Sequence, residues 1–167
     1  MPAYASQFPG LHINFDAYYT LDFMAVFSLR PASEDDKGLI FETFKLLMRR
    51  YVEWAWGWDE EFQRHGFWTN LPIENFKVIC VTGQSAGALY VEEHEQYHWV
   101  RTIFLKPEFQ GLGVGSALLV QESARARNAG KHLVLKVIKI NPAKRLYDRL
   151  GFKVVKEDDV TYSMQMV

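Results

Sequence analysis

The sequence predicts one mixed α/β domain with helices flanking a largely antiparallel sheet that contains a parallel crossover. The length of 167 residues is that of a single domain. The composition, 49% hydrophobic and 15% aromatic, supplies enough apolar surface for a core without disulfides or metals. The predicted elements follow the order β-α-α-β-β-β-α-β-α-β-β, in which three strands joined by short turns precede alternating helices and strands.

The first part of the chain predicts an extension and one strand. Residues 1–23 have few charges and no clear period. Their aromatic side chains favour an ordered extension, packed on the domain or on a second subunit of a homodimer, over a flexible tail, although the tail stays open. The domain is expected to span residues 24–167, beginning with a strand at residues 24–30 that Pro31 ends.

Two helices are predicted next. Ser33 followed by three acidic residues is typical of a helix start, because a serine cap and negative charges suit the positive end of the helix dipole. Apolar residues at helical spacing continue to Tyr51. A shorter helix is expected from near Asp59 to near Gly66.

Local patterns define the remaining elements. Apolar and β-branched runs predict strands, periodic apolar stripes predict helices, and glycine and proline mark their ends. Asn141 followed by proline predicts a capped helix start. In order, we expect strands at 76–82, 86–93 and 97–105, a helix at 113–129, a strand at 133–138, a helix from 141 to 150, and a hairpin of strands at 153–157 and 161–166.

Charge and composition limit the function classes. Residues 1–100 carry 7 Lys/Arg and 14 Asp/Glu, whereas residues 101–167 carry 12 and 6. The two halves therefore either hold a cation and an anion or simply present two solvated surfaces. The basic residues form no dense run, so we expect no nucleic-acid partner. No apolar run approaches the ~18 residues of a membrane helix, so we expect no membrane partner.

The cysteine count excludes further kinds of site. Cys80 is the only cysteine, which excludes an intramolecular disulfide and a multi-cysteine metal site. We therefore expect no metal. A reducing compartment suits a single thiol, and the N-terminus lacks the pattern of a signal peptide. We expect a cytoplasmic protein.

The strongest chemical motif is the glycine-rich segment Gln110-Gly111-Leu112-Gly113-Val114-Gly115-Ser116, between a predicted strand and a predicted helix. Alternate glycines let the backbone turn without Cβ clashes. Successive N–H groups at a helix start can then converge on a phosphate. Ser116 replaces the third glycine of a dinucleotide fingerprint, and the Gly-Lys-Ser/Thr ending of a P-loop is missing. A glycine-rich turn that merely starts a helix remains the alternative.

With its flanking segments, this motif resembles the GCN5-related N-acetyltransferase (GNAT) superfamily. The glycine-rich segment is similar to the superfamily's Gln/Arg-x-x-Gly-x-Gly/Ala signature, and residues 103–110 look like the strand and loop before it. Residues 141–152, with their Asn, Leu-Tyr and Gly-Phe, look like the second superfamily block. The resemblance covers residues 99–166 strongly and extends over 26–98. It implies the GNAT sheet with its flanking helices.

The resemblance implies an enzyme that transfers an acetyl group from acetyl-CoA to a primary amine of a small molecule or a peptide, by direct attack. Tyr147 would protonate the leaving CoA thiolate, although its position on an apolar helix stripe also suits a core residue. A GNAT-fold module that binds CoA or another ligand without acetyl transfer is the alternative. The implied acetyl-CoA contacts are Ile103, Phe104, Leu105, Gln110, Gly111, Leu112, Gly113, Val114, Gly115, Ser116, Asn141 and Lys144.

The general base departs from the family pattern. Many GNAT proteins carry a glutamate on the strand before the glycine-rich segment, but residues 100–103 contain no acid. Glu92 and Glu93 on the preceding strand are the next candidates. Because neighbouring strand residues point to opposite faces, at most one of them faces the site. His98 or a chain of water molecules are further options.

The acceptor site is expected within residues 51–68, where the first two helices of GNAT proteins commonly form the acceptor pocket. Trp54, Trp56 and Trp58 lie there beside several carboxylates. Aromatic faces and carboxylates suit a cationic amine, through cation–π contact and charge pairing. A packed aromatic subcore with solvated acids is the alternative.

Overall fold

A seven-stranded sheet organises the protein, whose computed structural model describes residues 27–166. Its strands stand in the order β1-β2-β3-β4-β5-β7-β6, and only β4 and β5 are parallel. The predicted fold class is confirmed, while the extension at 1–23 and the first residues of the predicted strand at 24–30 lie outside the described residues. The strands are β1 Phe27–Pro31, β2 Phe76–Val81, β3 Gln84–Glu93, β4 Tyr97–Leu105, β5 His132–Ile138, β6 Phe152–Glu157 and β7 Thr161–Met166.

Within residues 27–166, four helices cover the two faces of the sheet: α1 Lys37–Trp56, α2 Glu60–Asn70, α3 Val114–Asn128 and α4 Lys144–Arg149. Leu118 and Leu119 of α3 pack with Leu105 and Leu133 on what we call the α3 face, which α4 also covers. On the opposite α1 face, Ile40 and Phe41 of α1 and Phe67 of α2 pack on Phe76 and Phe104, among others. No helix within residues 27–166 is long and apolar enough to cross a membrane.

The sheet opens between β4 and β5. The two strands pair only from Tyr97 opposite His132 to Val100 opposite Leu135. At this point the register between β3 and β4 shifts, so that Arg101 is an extra, bulged residue of β4. Beyond the bulge, β4 pairs with β3 alone and β5 pairs with β7 alone. We call the resulting gap, between residues 101–105 and 136–138, the split.

The predicted start of α1 is correct but has a different hydrogen-bond pattern. Ser33 donates from its backbone N–H and its hydroxyl to Asp36 Oδ2, at 2.8 and 3.1 Å. Arg30 of β1 donates two further bonds to the same carboxylate, at 2.8 and 2.7 Å. These bonds to Arg30 lower the pKa of Asp36 to about 2. A single turn of 3-10 helix, Glu34–Asp36, therefore precedes α1 and ties it to β1.

The predicted end of the second helix near Gly66 is wrong. Asp59 caps the helix start as predicted, accepting from the N–H of Phe62 at 2.7 Å, but α2 continues to Asn70. A glycine inside a helix costs about 1 kcal/mol. Burial of Phe67, whose ring centroid lies 4.7 Å from that of Phe44, contributes about 1.5–3 kcal/mol and outweighs that cost.

Candidate active site

The glycine-rich segment connects the wide end of the split to α3. The Gln110 side chain donates to the Leu105 carbonyl at 2.8 Å, which fastens the segment to the last residue of β4. Gly111 and Gly113 have φ angles of +74° and +81°, which L-residues with a Cβ rarely adopt. The backbone thus turns sharply, and α3 begins at Val114.

The start of α3 offers free backbone donors. The first helical bond runs from the N–H of Ala117 to the Gly113 carbonyl, and the N-cap position, Gly113, has no side chain to cap the others. Among the described residues, nothing accepts from the N–H groups of Val114, Gly115 and Ser116. These donors and the helix dipole form an anion site.

The split and the start of α3 together fit acetyl-CoA. Beyond Val100, the edge of β4 that faces β5 has no strand partner within residues 27–166, so an extended amide-bearing arm can pair with it. The free N–H groups of α3 suit a pyrophosphate at the end of that arm. The Phe104 and Leu105 side chains are buried in the core, so it is the backbone of this part of β4 that lines the split.

Asn141 and Lys144 both have partners within the protein. The Asn141 side-chain oxygen accepts from the N–H of Ala143 at 2.9 Å and so caps the turn before α4, whereas the N-cap position of the helix itself is Ala143 and not the predicted Asn141. Its amide nitrogen lies 3.8 Å from the sulfur of Met48 in α1. Lys144 pairs with Asp148 at 2.9 Å, where both side chains meet solvent.

Tyr147 lies on the α3 face, where its ring packs edge-on against Phe152 with 5.8 Å between centroids. Burial raises the pKa of Tyr147 to about 12. Its hydroxyl has no hydrogen-bond partner within residues 27–166, and the only fully buried side-chain N or O atoms lacking one there are the ring nitrogens of His98. Its raised pKa keeps the Tyr147 hydroxyl protonated at neutral pH.

Glu92 and Glu93 point to opposite faces, as strand alternation predicts. Glu93 lies on the α3 face and pairs with Arg125 of α3, whose hydrogen bond holds the pKa of Glu93 below its usual range. Glu92 lies on the α1 face, where it accepts from Arg101 at 2.6 Å and contacts His94 Nε2 at 3.1 Å. Of the two carboxylates, only Glu92 is held by the bulged residue at the narrow end of the split.

The family comparison agrees with this geometry. The family model of the acetyltransferase (GNAT) domain matches residues 72–154, from the turn before β2 into β6. The chain carries a GNAT acetyltransferase domain. The predicted resemblance is thereby confirmed, and the match includes the split, the glycine-rich segment and α4.

Individual relatives of this GNAT domain extend the comparison. The aminoalkylphosphonate N-acetyltransferase of Salmonella typhimurium is 28% identical over 144 residues, covering 79% of this chain and 88% of the relative. The PaiA N-acetyltransferase of Thermoplasma acidophilum, solved with coenzyme A, has a TM-score of 0.63 at 19% identity, covering 84% and 98%. Ard1 of Thermoplasma volcanium has a TM-score of 0.59 at 18% identity, covering 84% and 96%. The two solved structures support the fold, and the family and the Salmonella relative support acetyl-CoA-dependent N-acetyltransferase activity.

The three predicted acceptor tryptophans of the GNAT domain differ in their surroundings. Trp54 and Trp56 are 51% and 62% exposed. Trp58 lies 6.3 Å from the Phe44 ring, with the Arg49 guanidinium 5.6 Å from its own ring centre. Trp58 therefore fits the packed-subcore alternative, and a cation already occupies one of its faces.

His98 is not available as a base. Its ring is 2% exposed and lies on the α3 face, near Glu93, Glu122 and Arg125. Burial lowers the pKa of His98, so the ring is neutral at neutral pH.

Sequence reasoning missed Arg101 as a functional candidate. Its guanidinium lies 4.3 Å from the centre of the Trp99 ring and pairs with Glu92. The available signal was the departure itself, an arginine within the stretch where many GNAT proteins have a glutamate. Neither the bulge nor the pairing with Glu92 is visible in a local pattern, because both depend on the register between two strands.

Proposed function

We propose that this protein acetylates the primary amine of a small molecule, which attacks the thioester of acetyl-CoA directly. The split supports this most strongly, because within residues 27–166 it combines an unpaired strand edge with free N–H groups at a helix start. Acetyl-CoA supplies the activated acetyl group. The small-molecule acceptor is supported by the Salmonella relative, whose name specifies an aminoalkylphosphonate.

Different residues of the chain would bind different parts of acetyl-CoA. In the proposed arrangement, the backbone of residues 103–105 pairs with the pantetheine arm, and the N–H groups from Gly111 to Ser116 hold the pyrophosphate. Asn141 would contact the pantetheine while its side-chain oxygen caps its turn. Lys144 would exchange its contact with Asp148 for a phosphate, which is a stronger anion.

Tyr147 is the proposed general acid. As the bond between the acetyl carbon and the sulfur breaks, its hydroxyl donates a proton to the thiolate and recovers one from solvent. A group that must donate has to be protonated, and the raised pKa of about 12 keeps the phenol in that form.

Glu92 is the proposed base, acting through a water molecule that takes the proton of the attacking ammonium. Its place on the α1 face beside the bulge supports this role. Glu93 is not proposed, since it pairs with Arg125 on the opposite face. We propose no acceptor role for Trp54 and Trp56, which stand in solvent.

A turnover assay tests this function. The protein is incubated with acetyl-CoA and a panel of primary amines while free thiol is followed, and amine-dependent thiol release is expected. Thiol release that no amine increases would contradict acetyl transfer and favour the binding module.

A matched pair of glycine substitutions tests the phosphate site. Gly113→Glu is expected to abolish acetyl-CoA binding in calorimetry, because the side chain strains the turn and its charge opposes the pyrophosphate. Gly83→Glu is the control, since Gly83 has a φ of +79° in the remote turn between β2 and β3. Loss of binding in both variants, or in neither, would contradict the assignment of the segment.

A further inference from the structure

A cluster of charged and aromatic side chains lies on the α1 face where β3 turns into β4. We call it the Arg101 cluster, and it consists of Glu92, His94, Tyr97, Trp99 and Arg101. The His94 ring stacks on Tyr97 with 4.6 Å between centroids and contacts Glu92. The cluster thus holds one carboxylate and one guanidinium beside an aromatic surface.

Arg101 uses little of its binding capacity. An arginine carries five N–H donors in a planar fork that matches an oxyanion in a two-bond arrangement. Here a single bond joins Arg101 Nη1 to Glu92 Oε1, and the other donors have no acceptor among the described residues. Stacking over Trp99 orients the guanidinium plane, and both Arg101 and Glu92 are 25% exposed. A second anion can therefore reach the fork.

The cluster is also close to the proposed point of reaction. Arg101 follows Val100, the last β4 residue that pairs with β5, and so it stands at the narrow end of the split. Ile103, whose backbone faces the proposed thioester arm, is two residues away, roughly 7 Å along a strand. An acceptor that places its amine at the thioester from the α1 face passes the Arg101 cluster.

We infer that the acceptor carries an oxyanion, a carboxylate or a phosphonate, on a short spacer from its amine, and that Arg101 binds this oxyanion. The acceptor's ammonium then takes the place of the guanidinium beside Glu92. The ion pair between Arg101 and Glu92 is thus replaced by two ion pairs with the zwitterionic acceptor. The net charge of the cluster does not change. The exchange also releases Glu92 to accept a proton through water. This inference rests on the proposed function, whose acceptor it specifies.

Selectivity kinetics test the inference. Three amines with the same alkyl spacer are compared: one ending in a phosphonate, one in a carboxylate and one in a methyl group. Wild type is expected to favour the oxyanion-bearing amines in kcat/KM by ~10- to 100-fold, the range for charge-assisted hydrogen bonds. Arg101→Gln is expected to collapse that ratio mainly through KM, and Arg101→Lys is expected to restore part of it. The phosphonate and carboxylate arms show which oxyanion is preferred.

Arg127→Gln is the matched control, because it removes an exposed arginine of α3 and is expected to keep the ratio. A wild-type ratio near one, or the same ratio in wild type and Arg101→Gln, would overturn the inference. Calorimetry on the CoA-loaded protein separates this result from failure of the proposed function. If wild type acetylates no amine, that function fails. Binding of the oxyanion-bearing amines that Arg101→Gln weakens at least ~10-fold would still support the inference, and equal binding would overturn it.

Discussion

At the scale of single residues, the Tyr147 side chain combines a ring packed in the core with a hydroxyl group that has a separate proposed role. Its ring is part of the packing between α4 and the sheet, and its hydroxyl has no hydrogen-bond partner within residues 27–166. The ring environment raises the pKa, and the free hydroxyl keeps the proton transferable. Packing and proton donation are therefore compatible roles for this residue, and substitution can separate them.

Tyr147→Phe removes only the hydroxyl and retains the packed ring. We expect kcat to fall ~10²-fold or more, the usual contribution of a general acid, with little change in acetyl-CoA affinity. Because protonated Tyr147 is the active form and its pKa is about 12, this residue is expected to cause no alkaline decline of kcat at moderately alkaline pH. Steady-state kinetics across pH and calorimetry measure both quantities.

Tyr162→Phe is the control, since Tyr162 is a partly buried tyrosine of β7 on the same face. Equal losses in the two variants, or unchanged turnover in Tyr147→Phe, would leave Tyr147 as a core residue alone.

At the scale of elements, the close approach of β3 and β4 positions the split. Gly87 of β3 pairs with Leu105 of β4, and a Cβ at Gly87 would stand 2.0 Å from the Phe104 carbonyl oxygen. That oxygen belongs to the strand whose other edge is free, so it cannot move away without shifting β4 into the split. The missing side chain of Gly87 is thus a condition for the split to stay open.

Gly87→Ala is expected to lower the free energy of unfolding by about 1–3 kcal/mol, the usual cost of overpacking. The control is Gly38→Ala in α1, where a Cβ would meet nothing within 4 Å. That change is expected to raise the free energy of unfolding by up to ~1 kcal/mol, because alanine favours the helix. Urea unfolding measures both, and an unchanged midpoint for Gly87→Ala would show that β4 tolerates the displacement.

The elements also show how far local patterns determine this fold. Hydrophobic period, the Asp59 cap and the glycine after α4 are local signals, so the order and most bounds of the elements were predictable. The extension of α2 past Gly66 was not, because it depends on the contact of Phe67 with a distant part of the chain. The bulge at Arg101 was not predictable either, since it arises from pairing with β3.

The candidate site was predictable to the same extent. The glycine-rich segment and Tyr147 carry recognisable motifs, and strand alternation placed the two glutamates on opposite faces. Alternation does not tell which glutamate meets Arg101 and which meets α3, because that choice depends on the packing of helices over the sheet. The tryptophans were grouped by their proximity in sequence, but Trp54 and Trp56 are largely exposed whereas Trp58 packs near Phe44.

At the scale of the whole molecule, stability depends on pH through a buried base. His98 is buried beneath α3, and neither of its ring nitrogens has a hydrogen-bond partner among the described residues. The positive charges of Arg125 and Lys131 oppose its protonation, whereas the negative charges of Glu93 and Glu122 favour it. Burial dominates and lowers the folded-state pKa. The unfolded chain therefore binds a proton that the folded chain resists, so stability falls as pH drops below about 6.5.

His98→Leu is expected to reduce the loss of stability between pH 7.5 and 5.5. At pH 7.5 the substitution is expected to raise the free energy of unfolding by about 1–2 kcal/mol, because two unsatisfied nitrogens are removed from the core. Urea unfolding at the two pH values measures the difference. His132→Gln, at an exposed position, is the control, and an equal pH response in wild type and His98→Leu would assign the acid sensitivity to other groups.

The split also links folding to the supply of its ligand. A sheet interrupted at its centre leaves backbone donors and acceptors that no strand of residues 27–166 pairs with, so a ligand that pairs with this edge of β4 supplies the missing hydrogen bonds. Such a ligand adds its binding free energy to that of unfolding, about 2.7 kcal/mol at a concentration one hundred times Kd. That is a substantial part of the 5–15 kcal/mol typical of a domain. The thermal stability of this protein is therefore expected to follow the acetyl-CoA concentration around it.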